Sequence, residues 1–543
     1  MGIFIYLVIS KSVTKKEWEK VYEETLQLIK HLPLADLREV KIHGIDTTCL
    51  VKTEEQEEPY GWNDEDTIVG WTAVGDYKYM HVAEQYYLPR DLVGENEVEP
   101  DAGDAILGAL PAYMSYDWED ERFNHVYGKW GAKTQGEPYH MYLLAVAALI
   151  EARLGTKAFT YGDITRGQFK RAVEIANRYL EEPIDIPDRC HMDRLLKRVS
   201  ELPLPHDKQL AVFDVFFLGT KNAEFGGYMR QMFSSDAISS YWKDRFKNYE
   251  IDTIGFDRII GDYLLCGFGL KELCGYVNFK SKDGEYKYED FIKRIMDAKL
   301  HLEEKNCADA LKIDQEEERP YGVGTLFAQF FYAGAGNKKV DRYIPIKDIK
   351  TALIEALGSK CNVEEIIDNY LSEEAKRFDV IHDSEASEED LKKAVGQDPA
   401  EVFNQVMDLK CKKLAEEREK YNVTAYEDLP FYEDGDTIHP AIEKSLVNGI
   451  NFLALAREEE EYKWLLEGSA EKCCEWLVEE NKYFLIRDEH WDKVFTNIEN
   501  DINSFGRYYG LFRVKMNNNS MIDMCTALMI NDELYEYSKS LMV

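Results

Sequence analysis

The sequence predicts an α+β protein: a small N-terminal mixed sheet with a helix, followed by a predominantly α-helical body. Three observations carry that expectation. Residues 3–9 form a continuous apolar run of strand length. Between residues 40 and 79, short stretches rich in Val, Ile, Thr, Trp and Tyr alternate apolar and polar positions. From Tyr139 onward apolar residues recur at helical spacing, and no repeat of fixed period points to a solenoid.

Taken in order, Ile3 to Ile9 reads as a buried strand. Thr14 and Glu17 then form a capping box, with Trp18, Tyr22, Leu26 and Ile29 on one helix face and Pro33 closing it. Strands are expected at 40–45 and 48–52 around Gly44-Ile45-Asp46, and at 67–79 with breaks at Gly70 and Gly75. Residues 88–111 show little periodicity, and a loop of that length in a folded domain tends to be functional or mobile. Met141 to Leu154 is apolar nearly all round, a central buried helix ended by Gly155.

Residues 160–164 read as a turn, after which Thr165 and Gln168 form a second capping box opening a helix to about Tyr179. Further helices are expected near 189–201, 207–218 and 222–233. Asp283-Gly284 suits a hairpin between 276–279 and 285–288. Helices follow near 289–305, 347–357 and 363–376, and Asp398-Pro399 opens another to about Tyr421. Residues 439–482 read as two helices broken at Gly468, and 511–514 as a short strand. With 543 residues, several domains are expected. The proposed division is an acidic, aromatic-rich module at 1–125, a mainly helical domain at 126–335 with the hairpin near 276–288, and a C-terminal helical domain at 336–543. Soft boundaries lie at Gly334-Ala335-Gly336-Asn337 and in the acidic run 372–401.

Composition bounds the function. No signal-peptide pattern opens the chain, and its longest apolar run, 141–150, is too short to span a bilayer. Ten scattered cysteines do not form a disulfide framework. These features point to a cytoplasmic protein, and the frequent Tyr, Lys and Glu with few Pro fit a bacterial cytosolic composition. A net charge of −36 argues against direct nucleic-acid binding and against an anionic membrane surface.

The charge is concentrated. Residues 53–121 hold 19 acids against Lys78 and Arg90 and carry ten Trp and Tyr residues. Such a surface attracts cations through charge and ring faces. The leading expectation is therefore a non-enzymatic protein that docks a basic protein partner, for instance by neutralising a cationic toxin or by mimicking a nucleic acid. Trp62, Trp71, Tyr116 and Trp118 are its expected anchors, and Glu95, Glu97, Glu99, Asp101 and Asp104 its expected acidic contacts.

Two alternatives follow from the same residues. One is a hydrolase in which clustered carboxylates hold a divalent metal. Asp252, Asp257 and Asp262 are the candidate ligands, although their spacing fits no calcium loop, and neither do Asp101 with Asp104 or Asp117 with Glu119 to Glu121. The other is a sensor of cationic small molecules or peptides with an aromatic cage. Catalytic candidates are limited to His140, Cys190 and His191, of which the last two are sequence neighbours with a simpler reading as helix-start residues, Asp188 capping, Cys190 inward and His191 outward. No cofactor motif is present: Gly267-Phe268-Gly269 has Glu272, and Gly322-Val323-Gly324 has Phe327, where a dinucleotide loop needs its third glycine.

Overall fold

The computed structural model describes residues 2–59, 67–92, 98–112, 125–302, 340–381, 416, 419–516 and 518–542. The first part of the chain runs β1 (Ile5–Ser10), α1 (Lys15–Ile29), β2 (Leu34–Ile42), β3 (Ile45–Lys52), β4 (Glu55–Pro59), β5 (Thr67–Asp76), β6 (Val82–Pro89), the short α2 (Ile106–Ala109), β7 (Val126–Trp130), α3 (Tyr139–Leu154), β8 (Ala158–Gly162) and α4 (Arg166–Asn177). A helical stretch follows: α5 (Met192–Ser200), α6 (His206–Phe216), α7 (Ala223–Met232), α8 (Ser235–Lys247), α9 (Ile254–Leu265), α10 (Leu270–Leu273), α11 (Tyr288–Asp297), α12 (Ile346–Leu357) and α13 (Val363–Ile381). The C-terminal part comprises α14 (Pro440–Ala456), α15 (Glu460–Leu466), α16 (Ala470–Glu480), α17 (Asp488–Asn500), α18 (Phe505–Arg513), α19 (Asn519–Ile530) and α20 (Asp532–Ser540). An N-terminal sheet region followed by a mostly helical body is the α+β architecture expected.

The strands form two antiparallel sheets rather than one mixed sheet. In the first, β1 lies between β7 and β8; in the second the order is β3-β2-β5-β4, with β6 also on β5. Local sequence explains several elements directly. Glu17 N donates to Thr14 Oγ1 (3.3 Å) while Thr14 N donates to Glu17 Oε2 (2.8 Å), and the Thr165–Gln168 box closes in the same way. His43 and Gly44, with φ of 50° and 89°, make the two-residue turn that joins β2 to β3 and pairs Ile42 with Ile45. Helix α3 is buried on nearly all sides, packed on α1, α4, β1 and β8.

Several expectations are corrected. Residues 160–162 are strand, not turn, because Thr160 and Tyr161 pair with Leu7 and Tyr6 of β1. Residues 511–513 are helix: Phe505, Tyr508, Tyr509 and Phe512 repeat at i, i+3, i+4 and i+7 and bury one face. Three helices, not two, fill 440–480, with breaks at 457–459 and at Gly468. Asp188 does not cap α5; its carboxylate accepts from Arg194 Nε (2.8 Å). The Asp398-Pro399 helix start, the Gly322-Val323-Gly324 stretch and the 334–337 boundary lie outside the described residues.

Among the described residues three apolar cores form. One gathers α1, α3, α4 and both sheets; a second gathers α5 to α13 with α2 and β8; the third joins the β2–β3 hairpin to α14 through α20. The first and second meet at a buried charge network. Arg198 on α5 is 3% exposed, and its Nε and Nη2 donate to Asp104 Oδ2 (2.8 Å) and Oδ1 (2.7 Å). Its Nη2 also donates to Ala158 O on β8 (3.1 Å), and Nη1 lies 3.7 Å from Glu151 of α3. Glu151 in turn accepts from Thr160 N (2.9 Å). The Phe159 ring lies within 5.2 Å of both the Arg198 and Arg189 guanidiniums.

Replacing Arg198 by Met strands two carboxylates in the interior, and urea unfolding is expected to show a loss of about 3–5 kcal/mol. An Asp104→Asn/Arg198→Met pair should lose less than the sum of the two single changes, because the carboxylate left unanswered is gone.

Candidate functional site

Among the described residues, the expected anchor and acidic contacts have different surroundings. Trp71 is fully buried, its indole Nε1 donating to Thr25 Oγ1 (3.3 Å) and its ring set edge-on to Trp130, so it is a core residue and not an anchor. Asp104 is consumed by Arg198. Glu99 accepts from His125 Nδ1 (2.6 Å) and pairs with Lys11 (3.3 Å), which ties this part of the 88–111 segment to the end of β1. Backbone bonds from Glu99 N to Lys11 O and from Ala105 N to Thr156 O fasten it further. Asp101 is exposed and has no ion pair among the described residues. Trp62, Glu95, Glu97, Tyr116 and Trp118 lie outside the described residues, as do Asp117 and Glu119 to Glu121.

The catalytic candidates are internal or unsuited. His140 has no exposed surface, and burial pushes its imidazole down to about 3, so it stays neutral beside Thr134 Oγ1 (2.7 Å) where no substrate reaches it. Cys190 faces the core, and burial pushes its thiol up to about 12, which removes the thiolate that nucleophilic attack needs. His191 opens α5 and is half-buried; with Cys190 inward, the two do not form a nucleophile and base.

The three aspartates do not converge on a metal. Asp257 accepts from Arg294 Nη1 (3.0 Å), Asp262 from Arg245 Nη2 (2.8 Å), and Asp252 lies on an exposed rim beside lysines. Burial pushes Asp257 up to about 6. Among the described residues no group of three or more His, Cys, Asp or Glu is arranged to hold a metal ion.

One histidine that the sequence did not single out is held strongly. His81, between β5 and β6, places Nδ1 2.9 Å from Glu137 and Nε2 3.3 Å from Asp523 of α19. Burial opposes its charge, but hydrogen bonds to Asp523 and Glu137 outweigh that and raise it to about 10. An imidazole charged throughout the neutral range is a poor proton shuttle and a good clamp. No spacing rule links positions 81, 137 and 523.

The second feature missed in the sequence is the corner between α14 and α15. Ile442, Leu446, Ile450 and Leu453 turn one face of α14 into the core. That leaves Phe452 39% and Leu455 71% exposed on the other side. In α15, Tyr462 and Leu465 face inward, and Trp464 remains 56% exposed.

Residues 451–480 contain nine glutamates against Arg457, Lys463 and Lys472. All three bases are engaged. Arg457 donates to Gly506 O and Tyr535 OH, Lys463 pairs with Glu458 and Glu460, and Lys472 Nζ sits 3.1 Å above the Trp464 ring. Exposed Glu467, Glu471 and Glu475 have no ion pair among the described residues. Exposed apolar side chains inside an acidic rim can seat a partner that offers both cations and an apolar contact.

Comparison with protein-family models, with curated proteins and with solved structures gives no match, so no relative assigns a role to any of these residues. Among the described residues no helix is long and apolar enough to cross a membrane.

The His81 clamp gives a signed pH dependence. Its folded value lies above the unfolded value of about 6.5, so its stabilisation is complete below about pH 6.5 and is lost as pH rises through the folded value. Thermal melts should show wild type above a His81→Gln variant at about pH 6, with the gap closing toward about pH 10.

Proposed function

We propose that this chain is a non-enzymatic, cytoplasmic protein-binding protein that docks a basic partner through an acidic surface with exposed apolar anchors. The α14–α15 corner is the surface that supports this reading best, and the observation that carries it is the exposure of Leu455 and Trp464 in a glutamate-rich stretch where Glu467, Glu471 and Glu475 have no ion pair among the described residues. Exposed apolar side chains rimmed by polar residues are a feature of protein-interaction sites. Lys472 stacked on Trp464 illustrates the contact an incoming Lys or Arg would make. The partner is thus a protein segment in which basic residues flank an apolar side chain. The role needs no metal, cofactor, nucleic acid or membrane.

The test is a pull-down from native lysate with three baits: wild type, Leu455→Ser/Trp464→Ser, and a bait with Gln at Glu458, Glu460, Glu467 and Glu471. A basic protein should be held by wild type and lost from both variants. It should elute as salt rises from about 0.1 M to about 1 M, where the Debye length falls from roughly 10 Å to roughly 3 Å. The apolar variant should keep wild-type stability within about 0.5 kcal/mol, since both side chains face solvent. A set of captured proteins identical across all three baits would remove this surface from consideration.

A further inference from the structure

Against the acidic whole, one cavity reverses the sign. It has a volume of about 420 Å³ and lies between the end of α8 and the 278–287 hairpin turn. Its wall carries Lys247, Lys280, Lys282 and Lys287 against only Glu250 and Asp252. In a chain with 102 acids and 66 bases, a concave surface with twice as many lysines as carboxylates departs from the local average.

The backbone fixes the turn that carries Lys280, Lys282 and Lys287. Ser281 N donates to Glu285 O (2.9 Å) and Lys287 N to Phe279 O (2.9 Å), closing the turn at Gly284, whose φ of +88° suits glycine. Asn278 Oδ1 accepts from Lys280 N (3.1 Å). This is the expected Asp283-Gly284 hairpin, reduced to a single bridge between Lys280 and Tyr286.

The charges are unevenly answered. Lys282 is paired with Glu250 at 2.7 Å, and Lys287 only loosely with Asp290 (3.5 Å) and Glu285 (3.7 Å). Lys247 and Lys280 make no ion pair among the described residues. On the same wall the Ser281 hydroxyl is buried without a hydrogen-bond partner among the described residues, and Tyr249, 46% exposed, presents an aromatic ring. Several lysines lining one concave surface attract an anion whose charge is spread over several oxygens, and lysine is a common phosphate partner. The volume falls in the range of small-ligand sites, about 300–1,000 Å³.

We propose that this cavity binds a small oligophosphate anion, with Lys247 and Lys280 as its main contacts and Lys282 recruited when the anion displaces Glu250. Binding is independent of the docking surface on α14 and α15.

Calorimetric titration of the full chain with inorganic tripolyphosphate tests this, with ATP and sulfate as parallel titrants. Tripolyphosphate should bind saturably below about 1 mM, ATP at least as well, and sulfate roughly tenfold or more weaker. Lys247→Ala/Lys280→Ala should weaken tripolyphosphate by at least roughly tenfold with an unchanged thermal melt, and Glu250→Gln, which frees Lys282, should strengthen it. Saturation absent at several times that concentration would overturn the assignment. So would sulfate binding as tightly as tripolyphosphate, affinity unaffected by the lysine pair, or weaker binding in Glu250→Gln. A lysine pair that fails to fold leaves the Glu250→Gln arm and the sulfate comparison to decide.

Discussion

Arg198 carries its charge into a site 3% open to solvent, where desolvation costs several kcal/mol unless the guanidinium is answered on every side. Asp104 answers it bidentately, the β8 carbonyl of Ala158 takes a further hydrogen, and Glu151 closes the group from α3. Four segments are thereby held to one point: the stretch leading into α2, helix α3, strand β8 and helix α5. The three-stranded sheet and the helical body could slide against each other over an apolar contact alone, because dispersion and burial are not directional. The fixed fork of a guanidinium is directional, and it fixes the register between them.

The same logic governs how a chain of net charge −36 arranges its acids. Where a segment packs, its carboxylates find cations or backbone amides. Glu99 takes Lys11 and His125, Glu17 takes Lys157, and Asp214 takes Lys221 and Arg245. Bases are the scarcer partner, 66 against 102 acids, so some surfaces stay acidic. The α14–α16 stretch is such a surface, and the cavity beside α8 is the reverse case. A local excess of one sign on a folded surface costs self-repulsion, which an oppositely charged ligand relieves. Both proposed sites lie at opposite extremes of one uneven distribution of charge.

Much of the secondary structure was legible in the sequence, and much of the site was not. The capping boxes at Thr14 and Thr165, the all-round apolar helix from Met141 and the break at Gly468 stand where local pattern puts them. Aromatic and acidic residues in 53–121 raise the expectation of an interaction surface, but composition does not reveal which side chains the core takes. Trp71 and Asp104 went inside because β5 sits between other strands and because Arg198 needed a carboxylate. Exposure at Leu455 and Trp464 was equally hidden. Both belong to amphipathic helices whose inward face was evident only once Leu453, Tyr462 and Leu465 had found their neighbours.

By itself the sequence determined the fold class, the bounds of several helices such as α3, α4 and α7, and the acidic composition, since each depends on composition or on bonds spanning about four residues, while α8, α9 and α17 to α20 were not read from it. The tertiary structure decided the two-sheet arrangement, in which β1 pairs with strands more than a hundred residues away. It also decided the fate of each carboxylate, such as Asp104 with Arg198 94 positions on, and the assembly of His81 between Glu137 and Asp523. Pairing and neutralisation are contacts between distant segments, and their free energy exists only after the chain has brought those segments together.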